Sequence, residues 1–203
     1  MADLITLQQY KDFIGLNGVQ QDARINVIID SVSQLVKNYC GTDIIDHYSS
    51  AKTEFFDIHD NNTSKVMLGE GPINTVTSVS ERAGQADSYI TLIKDNSDSS
   101  GKYEYVIDTV TDSIVRTNDS IDVSFPRGRK AVKVIYTAGY STTPEDLKLA
   151  VFDLVKYYLK DERRERMSIS GATVENPLSS SLTGNIGFPD HIKRILDMYK
   201  IYS

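Results

Sequence analysis

The stretch Val132–Arg166, VKVIYTAGYSTTPEDLKLAVFDLVKYYLKDERRER, joins a strand to a helix through a turn whose chemistry reads residue by residue. Val132, Val134 and Tyr136 share one face and Lys133, Ile135 and Thr137 the other, so period two and β-branched residues predict a strand to about Thr137. Gly139 breaks it. Thr143 is placed to cap a helix starting at Pro144, where a missing amide hydrogen costs nothing, and Glu145 and Asp146 put negative charge at the positive end of the helix dipole. Leu147, Ala150, Val151, Leu154, Val155, Tyr158 and Leu159 then follow i, i+3, i+4, i+7 spacing, with Lys148, Asp153, Lys156 and Lys160 on the wet side. Arg163, Arg164 and Arg166 complement the carboxyl-end partial charge, which marks them as a solvated helix end rather than a nucleic-acid patch.

Outward from this stretch, two more helices precede it. Thr6 with Gln9 makes a capping box for a short helix edged by Leu7, Tyr10 and Ile14. A long helix over 20–40 repeats the core spacing at Ile25, Ile28, Ile29, Val32, Leu35, Val36 and Tyr39, and Gly41 stands where a left-handed terminator belongs. From Ile44 to Tyr136 the pattern turns to short β-like runs: Thr53–Ile58, Ser64–Leu68, Asn74–Glu81, Tyr89–Ile93, Tyr103–Ile107, Ser113–Arg116 and Ser120–Phe125. Gly69-Glu70-Gly71-Pro72 reads as a turn and Asp95–Gly101 as a hairpin loop. Beyond Arg166 lies a Ser- and Gly-rich segment to about Gly187, then a last apolar stripe of Ile192, Ile195, Leu196 and Tyr199, extended by Met198, Ile201 and Tyr202. That helix either folds back on its own core or docks on another subunit as an anchor in a groove. The expected fold is α+β: an antiparallel helical bundle with an inserted antiparallel β lobe and a C-terminal helix on a flexible tether. Residues 1–166 form one domain, with helices 6–15, 20–40 and 144–166 around a lobe at 44–137, and residues 167–203 a loop plus helix.

Composition bounds the function. With 203 residues, 40% hydrophobic and 25% charged, the chain is ordinary globular material with room for one sizeable core. A formal net charge of -6 argues against affinity built on neutralising phosphates. A single cysteine excludes an intramolecular disulfide and any multi-cysteine zinc site, and Cys40, within a helical stripe, reads as a small buried hydrophobe. The sequence predicts no export signal and no membrane span, since neither a basic n-region nor ~18 consecutive apolar residues occur. There is no G-x-S-x-G, no phosphate-binding glycine loop, no dinucleotide fingerprint and no H-E-x-x-H, so no catalytic residue, metal or cofactor is expected. Asp57, His59 and Asp60 read as exposed polar residues beside a turn, and His47, His59 and His191 as scattered. A calcium loop begun at Asn96 fails at its twelfth position, Ile107.

Leu4-Ile5-Thr6-Leu7 before a short helix, the long helix ending Tyr39-Cys40-Gly41, the β segment with Gly71-Pro72-Ile73 and Val76-Thr77-Ser78-Val79, and Tyr136-Thr137-Ala138-Gly139-Tyr140 leading to Pro144-Glu145-Asp146-Leu147-Lys148 occur in an order that resembles the head-tail connector (adaptor, head completion) proteins of tailed bacteriophages. The resemblance covers a little under half of the chain; Gly84–Arg129 is larger than in minimal adaptors and Ser168–Ser203 matches no family motif. It implies a structural virion protein, assembled in the host cytoplasm, that forms a ring, typically of twelve subunits, under the portal protein. Such a ring extends the DNA channel, passes DNA without sequence-specific binding and docks the next neck or tail-completion protein. It also implies that the C-terminal segment anchors on the portal, which makes Ile192, Ile195, Leu196, Tyr199 and Tyr202 the candidate portal interface, while Gly139, Thr143 and Pro144 are the candidate structural turn and cap. Two other classes stay open: a monomeric module binding a peptide or saccharide through the β lobe, and a hydrolase using carboxylates the sequence does not place, since pairs such as Glu104 and Asp108 or Asp119 and Asp122 carry no specific signal.

Overall fold

Period two and period 3.6 resolve, in a computed structural model, into eight strands and four helices among the described residues, which are 2–94, 104–119, 121–160 and 188–201. The helices are α1 (Leu7–Ile14), α2 (Asp22–Cys40), α3 (Glu145–Leu159) and α4 (Asp190–Asp197). The strands are β1 (Lys52–Ile58), β2 (Lys65–Met67), β3 (Ile73–Glu81), β4 (Ile90–Thr91), β5 (Tyr105–Asp108), β6 (Ser113–Asn118), β7 (Ile121–Asp122) and β8 (Gly128–Ala138). Each β-like run read from the sequence contains or overlaps one of these strands. The expected Asp95–Gly101 loop, the Arg163–Arg166 helix end, the Ser- and Gly-rich segment and Tyr202 lie outside the described residues.

The chain divides into two units. One gathers Met1–Gly41 and Thr142–Lys200, the other Thr42–Ser141 together with Ile201.

The first unit holds all four helices. α2 packs on α1, α3 and α4, and α3 packs on α4. The stripes are buried as their spacing requires: Ile25, Ile29, Val32 and Val36 from α2, and Leu147, Ala150, Val151, Leu154 and Val155 from α3. Each buried Ile, Val or Leu among them contributes about 1.5–3 kcal/mol by leaving water. Phe13 stacks on Phe152 at 4.7 Å and Tyr39 meets Phe188 edge-on at 5.1 Å. At its start α1 carries the reciprocal capping box, with the Gln9 amide on Thr6 Oγ1 and the Thr6 amide on Gln9 Oε1. Gly41 ends α2 at φ 71°, the left-handed position that favours glycine. Cys40 is fully buried at the last turn of α2, and burial first, then the nearby Asp197, push its thiol up to about 12, so it stays a neutral packing group.

The second unit holds the strands in two sheets. One has the order β1-β8-β3-β4 and the other β2-β6-β5, with β7 paired to β6, and every ladder is antiparallel. β8, the strand of the opening motif, is central in the first sheet: Lys52 pairs with Tyr136 on one side and Val79 with Val134 on the other. Its alternation decides the core. Val132, Val134 and Tyr136 are fully buried against Val79, Ile114 and Phe125, while Lys133, Ile135 and Thr137 face away.

Candidate functional site

The most elaborate side-chain cluster in the second unit is built on the turn before β3. Lys52 and Glu54 alternate with Thr53 along β1, so both point to the same face of the sheet as Tyr136, the register partner of Lys52. The turn at Gly69–Pro72 delivers Glu70, 3% exposed, to that face. Its Oε1 accepts from Lys52 Nζ at 2.8 Å; its Oε2 accepts from Thr42 Oγ1 at 2.5 Å and from the Asp43 amide at 3.0 Å. The Glu70 amide donates to Tyr136 Oη at 3.1 Å, and Glu54 accepts from Lys52 at 2.9 Å and from the Gly69 amide at 3.0 Å. Burial works to lower the pKa of Lys52, but hydrogen bonds to Glu70 and Glu54 outweigh it and the net direction is up. Burial, reinforced by the Glu54 carboxylate, raises the pKa of Tyr136.

Asp43 and His47 lie beside this node, and one ligand atom each from Asp43, His47 and Glu70 fall within 4.8 Å of one another. The donor set suits a borderline cation, yet the residues do not fit one. Both Glu70 oxygens already accept hydrogen bonds, Oε1 from the Lys52 ammonium and Oε2 from Thr42 Oγ1 and the Asp43 amide. His47 is engaged on both ring nitrogens, with Ser50 O and Asp43 Oδ2 each at 3.2 Å. The node ties the Thr42–Asp43 segment, β1, β8 and the turn before β3 together. Sequence reading missed it: Asp43 and His47 are spaced i, i+4, but nothing local ties them to Glu70. Among the other polar residues singled out, Asp57 accepts from the Lys130 amide at 2.7 Å and His59 is exposed.

The expected turn and cap residues fare differently. Gly139 has φ 92°, its amide donates to Pro72 O at 2.8 Å, and a Cβ there would run into the Ile44 carbonyl. Thr143 does not cap α3. Its buried Oγ1 donates to Leu4 O at 2.6 Å, and the cap position falls to Pro144, whose carbonyl accepts from the Lys148 amide at 2.8 Å with no side-chain bond. The helix thus begins one residue later than expected, because a buried carbonyl from the chain's start competes for the hydroxyl.

Of the five expected portal-interface residues, Ile192 and Leu196 are buried at 1% and 0% within the helical unit. Ile195 and Tyr199 are half-buried, and Tyr199 Oη donates to Asp146 at 2.6 Å. Tyr202 lies outside the described residues. Beside them on the same segment Met198 is 73% exposed.

Comparison with known proteins gives this geometry a context. The family model described as head completion protein matches residues 3–202. The head completion protein of Escherichia phage T5 is 25% identical over 200 residues, covering 97% of this chain and 98% of that protein. Among solved structures, a chain in the neck of the empty gene transfer agent (GTA) particle computed with C6 symmetry aligns with a TM-score of 0.56 at 15% identity, over 98% of this chain and 91% of that one. Another, in the neck of the native GTA particle computed with C12 symmetry, aligns with a TM-score of 0.55 at 13% identity, over 100% and 95%. These structures share the fold. With the family model spanning nearly its whole length, the chain belongs to the head completion protein family, whose members are structural parts of the virion and not enzymes.

Proposed function

We propose that the protein is a head-tail connector that assembles as a ring of twelve copies under the portal, extends the DNA channel and docks the next neck or tail-completion protein. The observation that carries this reading is the family match over residues 3–202. A chain of the same fold sits in necks computed with C6 and with C12 symmetry, and twelve copies are compatible with both. A net charge of -6 per copy suits a channel that lets DNA pass without holding it. In this reading residues 1–166 are the adaptor domain and the segment 167–203, which carries α4, reaches the portal. Ile192 and Leu196 fix α4 by their burial, which leaves Ile195, Tyr199 and Met198 to meet the portal surface, with Tyr202 beyond them. Native mass measurement of the full chain mixed with portal rings tests both parts. The expected result is a complex with a fixed number of copies, weakened by Ile195→Asp or Met198→Asp. A chain that stays monomeric and ignores the portal overturns the connector reading, and binding undiminished in both variants moves the anchor elsewhere.

A further inference from the structure

The outward face of the β1-β8-β3-β4 sheet differs from the rest of this acidic chain. Phe55 of β1 and Lys133 of β8 are register partners on that face, and Phe55 is 46% exposed. Tyr89, leading into β4, places its ring 6.3 Å from Phe55. Three cations gather on these two rings: Arg82 over Tyr89 at 4.8 Å, Lys133 over Tyr89 at 5.7 Å and Lys130 over Phe55 at 5.4 Å. Arg82 is held in place by main-chain carbonyls, with Nε on Lys130 O, Nη1 on Gln85 O and Nη2 on Arg129 O. Tyr89 Oη also donates to Lys130 O, at 2.7 Å. Among the described residues, no carboxylate pairs with Arg82, Lys130 or Lys133, whereas Lys11, Lys52, Lys65, Arg116 and Lys148 all have one. The result is a fixed aromatic platform carrying three cations, with the Asp57 carboxylate beside it on the Lys130 amide at 2.7 Å. Aromatic side chains and arginine are the groups enriched at the centres of protein interfaces.

We propose that this face, centred on Phe55, Tyr89, Lys130 and Lys133, receives an acidic surface of a second copy of this chain and forms one half of a head-to-tail contact. The inference rests on the ring reading above and adds which surface closes the ring. A cyclic assembly of identical chains needs a heterologous contact, in which two different patches meet at every junction. Charge complementarity selects the occupant. A chain of net charge -6 that gathers on one face three cations with no carboxylate ion pair among the described residues carries an excess of carboxylates on its other surfaces, so a second copy offers the matching surface. DNA is the weaker match, since the same net charge repels its phosphates as it approaches.

The test uses the full chain, alone and with portal rings, with Lys130→Glu/Lys133→Glu as the charge-reversed variant. Thermal melting of that variant is compared with the parent. Phe55 is separately replaced by a photoreactive phenylalanine analogue, which keeps the ring. The expected results are self-association weakened roughly tenfold or more by the double reversal with an unchanged melt, self-association of the parent weakened by salt, and cross-links from position 55 into acidic segments of another copy. Rings that assemble equally well with the reversed charges, or cross-links from position 55 only to portal, overturn this inference and leave the connector reading standing. So does loss of binding to a short DNA duplex with assembly intact, which reassigns the face to nucleic acid. A parent chain that never self-associates, with or without portal, overturns both.

Discussion

The two units hold themselves together by different physics. In the helical unit, apolar stripes from α2, α3 and α4 cover one another, and stability is spread over many interchangeable aliphatic contacts. The strand unit also has an apolar core, but one edge of it is closed by a buried carboxylate that the turn before β3 hangs between Lys52, Thr42 and the Asp43 amide. Distributed contacts degrade gradually. A buried charged node is conditional on every partner, because any one left behind is stranded away from water.

Breaking the node should therefore produce the largest change. Glu70→Ala removes the acceptor of the buried Thr42 hydroxyl and of the Asp43 amide and leaves Lys52, which is 27% exposed, to Glu54 alone. The loss of these three hydrogen bonds should cost about 3–5 kcal/mol. Hydrogen exchange resolves where it falls: amides of β1, β3 and β8 should lose protection while those of α2 and α3 keep theirs. A uniform loss would mean that the units do not unfold separately. The node also makes the strand unit sensitive to alkali. Tyr136 is held neutral, its folded pKa raised above the unfolded value of about 10 by burial and by Glu54. A raised pKa contributes stability that is complete below the unfolded value and is lost as pH rises beyond it. Protection of β8 should fall above about pH 10, and Tyr136→Phe should remove part of that dependence. In the helical unit Tyr10 titrates in the same direction, through burial and Asp153, so the comparison is one of degree.

Leu196→Ala is the matching test in the helical unit. Removing a fully buried side chain from α4 should cost roughly 3 kcal/mol and lower protection in α2 and α3, on which α4 packs. Gly139→Ala comes next. It combines a Cβ pressed on the Ile44 carbonyl with φ 92°, and a loss of about 1–3 kcal/mol, read as a shift in urea midpoint, is expected in the strand unit.

What could be read from the sequence follows the same division. Helical stripes and strand alternation are local patterns, so α1 to α4 and all eight strands were visible in residue spacing, as were the Thr6 capping box and Gly41. The pairing of β1 with β8 and of β8 with β3 was not, because it depends on contacts distant in the chain that no local period encodes. Glu70 had the look of a turn residue, and only the fold brings Lys52 and Thr42 to it. The stripe of Ile192 and Leu196 was plain, but a stripe does not say what covers it, and here the chain's own α2 and α3 do. The cationic face is invisible for a related reason: Phe55, Arg82, Tyr89, Lys130 and Lys133 come from three separate segments and meet only across a sheet.

The two threonines read as helix caps give the smallest and sharpest contrast. Thr6 does cap: its Oγ1 accepts from the Gln9 amide at 3.2 Å on an exposed helix start, where water can replace the lost bond. Thr6→Ala should cost about 1 kcal/mol and fray α1 alone. Thr143 is 4% exposed, and its hydroxyl is spent on Leu4 O, so Thr143→Ala leaves a carbonyl in the interior short of a donor. Its cost should be about 1–3 kcal/mol, and Thr143→Ser should restore most of it by returning the hydroxyl. Equal losses from the two alanine variants, with no rescue by serine, would show that the Leu4 carbonyl finds another partner, and that even in the helical unit position in the fold matters less than residue type.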